Sequence, residues 1–187
     1  MRSIPGVSVF RPADANETVA CWKAVVQDKQ GPKALALSRQ NLPVLAGTKE
    51  KSAEGVRRGG YVLQECEGTP DVVLIGTGSE VYLAVKAAEM LMNEGIKARV
   101  VSMPCLDWFE QQDDDYQNSV VPRDIKARVS VEAGLALSWW KLLGDASQAV
   151  SLEHFGASSP AEELFERFGI TADAVVEAAK KSLAAVH

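Results

Sequence analysis

Few residues of this chain have the types and spacing that chemistry needs. Arg39 is the sharpest candidate. It follows the apolar run Lys33 to Ser38, and in parallel sheets ligands bind at the carboxyl ends of strands. A planar guanidinium there grips a phosphate through two parallel hydrogen bonds, or else pairs with a nearby carboxylate. The residues alone leave both readings open. The second candidate is Gly76-Thr77-Gly78-Ser79, set between an apolar run and a helical pattern. Free amides at a helix start attract anions. This turn lacks the third glycine of a dinucleotide fingerprint, since Leu83 or Ala84 stands there, and it lacks a Walker lysine. No acidic residue ends the following run, Val100 to Pro104. A tight strand-to-helix turn is the favoured account. Glu80 already occupies the positive end of the first turn, so any anion is expected to bind weakly.

The remaining candidates are thinner. His154 and the terminal His187 are the only histidines, and an isolated histidine is more often a hydrogen-bonded structural residue than a catalyst. Glu132 ends a strand, where a helix cap or an inter-subunit pair would serve it equally. Asp113-Asp114-Asp115 suggests a cation, but three consecutive carboxylates converge only in a shaped loop, so a solvated helix face or turn is expected. Cys21, Cys66 and Cys105 form no CxxC pair, which argues against a metal site and suits a reducing, cytoplasmic setting. No nucleophile stands beside a base, so the chain shows one plausible ligand-binding residue and no catalytic machinery.

The elements that must position these groups read as alternating strands and helices. Val72 to Ile75 is a continuous β-branched run, expected for a strand covered on both faces. Val81, Val85, Ala88, Leu91 and Met92 then fall at helical spacing, Gly95 is free to take a left-handed end, and Ala98 to Met103 returns as a strand. Further strands are expected at Val7 to Phe10, Tyr61 to Gln64, Ala127 to Val131 and Ala149 to Leu152. Asp14 and Glu17 have capping-box spacing for a helix over residues 15–28, with Val19, Trp22, Val25 and Val26 as its apolar face. Two more helices are expected over Glu162 to Phe168 and Ala172 to Ala185. The fold class is therefore α/β: a three-layer C-terminal domain with a mostly parallel sheet, preceded by a strand-helix-strand piece of a second α/β domain. Residues 1–43 are assigned to that piece, 44–60 to a polar linker and 61–187 to the C-terminal domain. The first piece is too small to cover its own sheet, so it is expected to be the loosely held tail of a larger domain.

Composition sets outer bounds. The chain has 187 residues, 47% hydrophobic and 24% charged, with a formal net charge of −5. That balance argues against nucleic-acid binding. No apolar run approaches the ~20 residues of a membrane helix, and no apolar core follows Arg2 to make a signal peptide.

Arg11-Pro12-Ala13-Asp14 with Asn16-Glu17, and Leu37-Ser38-Arg39-Gln40-Asn41-Leu42-Pro43, resemble the end of the transketolase pyrimidine-binding domain. The likeness continues through Gly59 to Leu63, Gly76 to Val81, Ala98 to Pro104 and Phe155 to Ser158, and so runs along the whole chain. Only Ser138 to Val150 departs from the family's glycine-rich, aromatic pattern. The resemblance implies the C-terminal portion of an enzyme that moves two-carbon ketol units between sugar phosphates. Such enzymes use thiamine diphosphate and a divalent metal, Mg or Ca, and act as homodimers. It implies that the cofactor-activating glutamate, the metal ligands and the active-site histidines lie upstream of this chain, which by itself is expected to bind no cofactor. Of the family's site residues only the phosphate-gripping arginine carries over, onto Arg39. The competing reading is a free-standing α/β module binding a nucleotide or regulatory anion at Gly76 to Ser79.

Overall fold

The computed structural model describes residues 2–186. Its centre is a five-stranded sheet of β3 (Tyr61–Gln64), β4 (Val72–Gly76), β5 (Ala98–Ser102), β6 (Arg128–Val131) and β7 (Gln148–Val150), in the order β3-β5-β4-β6-β7. The pairs β4–β5, β4–β6 and β6–β7 are parallel, and β3 runs antiparallel along β5 at one edge. The continuous apolar run of β4 serves two faces, because successive side chains point to opposite sides. Val72 and Leu74 pack with Ala84, Ala88, Leu91, Val175, Val176 and Ala179, from α3 (Val81–Asn93) and α8 (Ala172–Val186). Val73 and Ile75 pack with Met103, Phe109, Trp139 and Leu143 on the other side. Helices α4 (Leu106–Glu110), α5 (Asp114–Val120) and α6 (Trp140–Leu143) cover that face, completing three layers. Helix α7 (Ala161–Arg167) precedes α8.

Ahead of this sheet, β1 (Ser8–Phe10) and β2 (Lys33–Leu35) pair in parallel, joined by α1 (Ala15–Gln27). The Asp14 carboxylate caps α1 by accepting from the Glu17 amide at 2.9 Å, as the spacing predicts. Glu17 does not close the box onto Asp14, however, but reaches one residue further to accept from the Ala13 amide at 2.7 Å. Strand β2 is shorter than the expected Lys33 to Ser38. Its partner β1 offers three positions, and after Ala36 donates to the Phe10 carbonyl no further strand lies alongside.

Three sequence expectations are corrected here. The stretch 44–60, expected as a linker, holds the helix α2 (Thr48–Arg57), packed on α1. Its polarity belongs to one exposed face, while Thr48, Ser52, Gly55 and Val56 are buried. Gly55 is there for contact rather than flexibility, since a Cβ would stand 2.1 Å from the Tyr61 ring. The expected apolar face of α1 holds only at Val25, which packs on the core: Val19, Trp22 and Val26 are exposed, and Glu17, Ala20, Cys21 and Ala24 are buried. Small residues on that side let α2 approach closely. The N-terminal piece is thus docked rather than loose. Phe10, Cys21, Val56 and Cys105 form one shared cluster, and Ala13, Leu45, Tyr61, Leu63 and Val81 another.

Candidate functional site

Arg39 lies on the irregular segment after β2, exposed, and among the described residues no hydrogen bond or ion pair involves it. The carboxylate partner that the alternative reading required is therefore not in place. The segment carrying Arg39 is fastened at both ends. Ala36 donates to the Phe10 carbonyl at 2.8 Å, and Leu45 donates to the Asp14 carboxylate at 2.9 Å, which also accepts from the Thr48 hydroxyl at 2.7 Å. Between these anchors the side chain is free to meet an anion from solvent.

The turn Gly76 to Ser79 has a different character. Gly78 to Glu80 make a single 3-10 turn leading into α3. The Ser79 hydroxyl does not cap α3 but donates to Glu80 Oε1 at 2.6 Å. The Gly78 amide, the group an anion would need, donates to the Arg11 carbonyl at 3.0 Å. Gly78 has φ +63°, and a Cβ there would lie 3.0 Å from the Arg11 guanidinium carbon. The glycine admits a guanidinium where a nucleotide fold admits a phosphate.

Arg11 is a residue whose chemistry sequence reasoning missed. Its amide donates to the Pro104 carbonyl at 2.8 Å. Its guanidinium meets Glu80 Oε2 through Nη2 at 2.7 Å and donates to Glu132 Oε1 through Nη1 at 2.7 Å. Glu132 Oε2 accepts from Arg2 and from the Trp139 indole, the latter at 2.7 Å. Glu132 is therefore engaged within the chain, against the alternatives of a helix cap or a subunit pair. Burial drives its carboxyl upward, but Arg2 and Arg11, with the Arg2 and Trp139 hydrogen bonds, hold it below the usual carboxylate range. Desolvation pulls Arg11 down, and Glu80 and Glu132 more than offset it. The available signal was two acidic residues, Glu80 and Glu132, each just past the carboxyl end of a buried strand.

A second buried carboxylate ties the two parts together. Glu17 Oε1 accepts from the Tyr61 hydroxyl at 2.7 Å and from the Ser102 hydroxyl at 2.5 Å. Burial pushes this carboxyl above its usual range, against the Ser102, Tyr61 and Ala13 hydrogen bonds and with some help from Asp14. Of the lesser candidates, His154 is exposed, with Nδ1 2.8 Å from the Phe155 carbonyl and its ring edge-on to Phe168. Asp113 caps α5 by accepting from the Tyr116 amide, and Asp114 pairs with Arg123 at 2.7 Å, so the acidic run is a helix start. Among the described residues no three His, Cys, Asp or Glu side chains converge to hold a metal ion. Among the described residues no helix is long and apolar enough to cross a membrane.

A docked strand-helix-strand piece and a three-layer, mostly parallel domain define an α/β class of architecture. The family profile of the transketolase-like C-terminal domain matches residues 59–171, and that of the transketolase pyrimidine-binding domain matches residues 1–44. The chain belongs to the transketolase family. The transketolase of Mycobacterium bovis is 50% identical over 190 residues, covering 98% of this chain and 27% of its own length. The chloroplastic transketolase of Solanum tuberosum is 49% identical over 182 residues, 96% of this chain and 24% of its own. Among solved structures, transketolase from Leishmania mexicana superposes with a TM-score of 0.89 at 38% identity, over 98% of this chain and 26% of that one. A split-gene transketolase, described as an inactive β4 tetramer, matches all of this chain and 61% of its own at 31% identity and a TM-score of 0.81. The chain thus spans about a quarter of the curated relatives it matches.

Proposed function

We propose that this chain is the C-terminal portion of a transketolase and that Arg39 holds the phosphate of its sugar-phosphate substrates. The observation that carries the reading is an arginine beyond a strand's carboxyl end, exposed and unpaired among the described residues, on a segment anchored at Ala36 and Leu45. An unpaired guanidinium keeps its full donor fork for a phosphate, where it is worth most. Transketolase structures from Pichia stipitis, 42% identical to this chain, carry sedoheptulose 7-phosphate or xylulose 5-phosphate in complex. The parent reaction is the transfer of two-carbon ketol units, in a cytoplasmic homodimer.

Thiamine diphosphate and a divalent ion supply the electron sink and its anchoring in that reaction. The divalent ion finds no fit among the described residues, because no three His, Cys, Asp or Glu side chains converge there. The side chains that hold the cofactor and the ion are assigned to the upstream domains of the parent. Domain limits of 1–43 and 61–187 fit the same reading, with α2 bridging the two.

Arg39→Ala, made in the full-length enzyme, tests the assignment. It should cost phosphorylated substrates about 1.5–3 kcal/mol in kcat/KM, the range for a hydrogen bond to a charged group. Unphosphorylated acceptors should be nearly unaffected. Equal losses for both substrate classes would show that Arg39 holds structure rather than phosphate.

A further inference from the structure

In open α/β sheets the ligand crevice opens where the strand order reverses, outside the carboxyl ends of the strands. Here β4 is that strand: the chain moves from it to β5 on one side and later to β6 on the other. The crevice is not empty. The Arg11 amide is bound by Pro104, just past β5, and its carbonyl accepts from Gly78, just past β4. Its guanidinium bridges Glu80, beyond β4, and Glu132, immediately after β6. The two carboxylates expose 1% and 7% of their side chains. Glu132 is further fixed by the Trp139 indole.

We infer that this switch-point crevice is a guanidinium-binding site, and that the C-terminal domain uses it to hold the preceding domain through Arg11. Three independent features fit a guanidinium rather than any cation. Two carboxylates are reached by different terminal nitrogens, Glu132 by a hydrogen bond from Nη1 and Glu80 by an ion pair with Nη2, a span that suits a guanidinium better than a point charge. Gly78 leaves the space a side chain would fill, with its Cβ position 3.0 Å from the Arg11 guanidinium. The backbone of Arg11 is held on both sides of its Cα, so the side chain enters from one fixed point. A site where a related fold binds its ligand is thus filled by a segment of the same chain. The consequence is that the position of the Arg11–Asp14 segment, and with it the Asp14 anchor of the Arg39 loop, is set by the C-terminal domain.

Chemical rescue tests this directly. Arg11→Ala in the full chain deletes the atoms of N-ethylguanidinium and leaves two buried carboxylates facing a vacancy. Its melting temperature should fall. N-ethylguanidinium at about tenfold over its dissociation constant should then raise the midpoint by roughly 3–5 °C, because it binds only the folded state. N-ethylammonium at the same concentration should not, and Arg11→Lys should stay close to Arg11→Ala. The unaltered chain, whose site is filled, should gain nothing from either compound. Should Arg11→Ala not stay folded, the same comparison is read as refolding yield with each compound present. Arg2 also reaches Glu132, so the Arg2→Ala/Arg11→Ala pair is measured alongside. Equal effects of ethylguanidinium and ethylammonium in both variants, or no effect of either, would overturn the inference.

Discussion

Arg11 and Arg39 are the same residue type, and each follows a strand of the same two-stranded sheet, yet their fates are opposite. Arg11 leaves β1 and enters a crevice lined by Glu80 and Glu132, where every terminal nitrogen meets a carboxylate. Arg39 leaves β2 beyond the last paired residue and stays in solvent without a partner among the described residues. The difference lies in what each strand end faces. Arg11, just past β1, is bonded to Pro104 after β5 and to Gly78 after β4, while among the described residues no backbone hydrogen bond holds Arg39. A buried arginine persists only where acceptors compensate its desolvation, and an exposed one remains available for a ligand. Two arginines of one small sheet thus sit in opposite surroundings, one spanned by carboxylates and one open to solvent.

The comparison breaks most readily at Glu132. Removing it leaves Arg2, Arg11 and the Trp139 indole facing one another without their shared acceptor. Glu132→Ala should therefore destabilise the chain by about 3–5 kcal/mol, read from the urea midpoint at constant slope. A loss under about 1 kcal/mol would mean that water reaches the crevice and that Arg11 is no more buried in effect than Arg39.

Glu17 sharpens the contrast through pH. Its folded carboxyl is raised above the ordinary value of 4.5, so the folded state holds the proton more tightly than the unfolded one. Its contribution to stability is fully present below that ordinary value and is lost as pH rises toward the folded pKa. Glu132, held low by Arg2 and Arg11, acts with the opposite sign: its contribution is present above the ordinary value and is lost as pH falls through the folded pKa. Glu17→Gln should cost about 1–3 kcal/mol near pH 4.5, where the protonated acid is best tolerated, and progressively less toward pH 7. A cost that grew with pH would show that the ionised carboxylate is the favoured form among Tyr61, Ser102 and the Ala13 amide.

The smallest effect is expected at the other arginine. Arg39→Ala should leave the unfolding free energy within about 0.5 kcal/mol, as for surface substitutions away from caps, cores and networks. That small value, beside the much larger loss with phosphorylated substrates, is what separates a ligand-binding arginine from a structural one. A stability loss comparable to that of Glu132→Ala would erase the distinction between the two sites.

The sequence by itself determined the local elements and the order in which they alternate. Continuous β-branched runs such as Val72 to Ile75, the Asp14 cap, the Gly95 end and the Asp113 helix start are written within a few residues, so their physics is local. Arg39 was legible as a charge downstream of a strand, but the strand stops at Leu35 and the exposure of the arginine was not readable from the residues. What only the tertiary structure decided is which groups meet. Arg11 and Glu132 are 121 residues apart, and Glu17 and Ser102 are 85 apart. Neither pairing leaves a periodic trace. The same holds for α1, whose apolar stripe predicts Val19, Trp22 and Val26 inward but whose buried face is Glu17, Ala20, Cys21 and Ala24. A helix's hydrophobic pattern records the sum of all its neighbours, whereas packing against α2 and β3 selects the face with small residues and one satisfied carboxylate. Gly78 makes the point most sharply. Its sequence neighbours predict a tight turn, and only the approach of Arg11, bonded to Pro104 and Gly78, decides that a guanidinium lies against it.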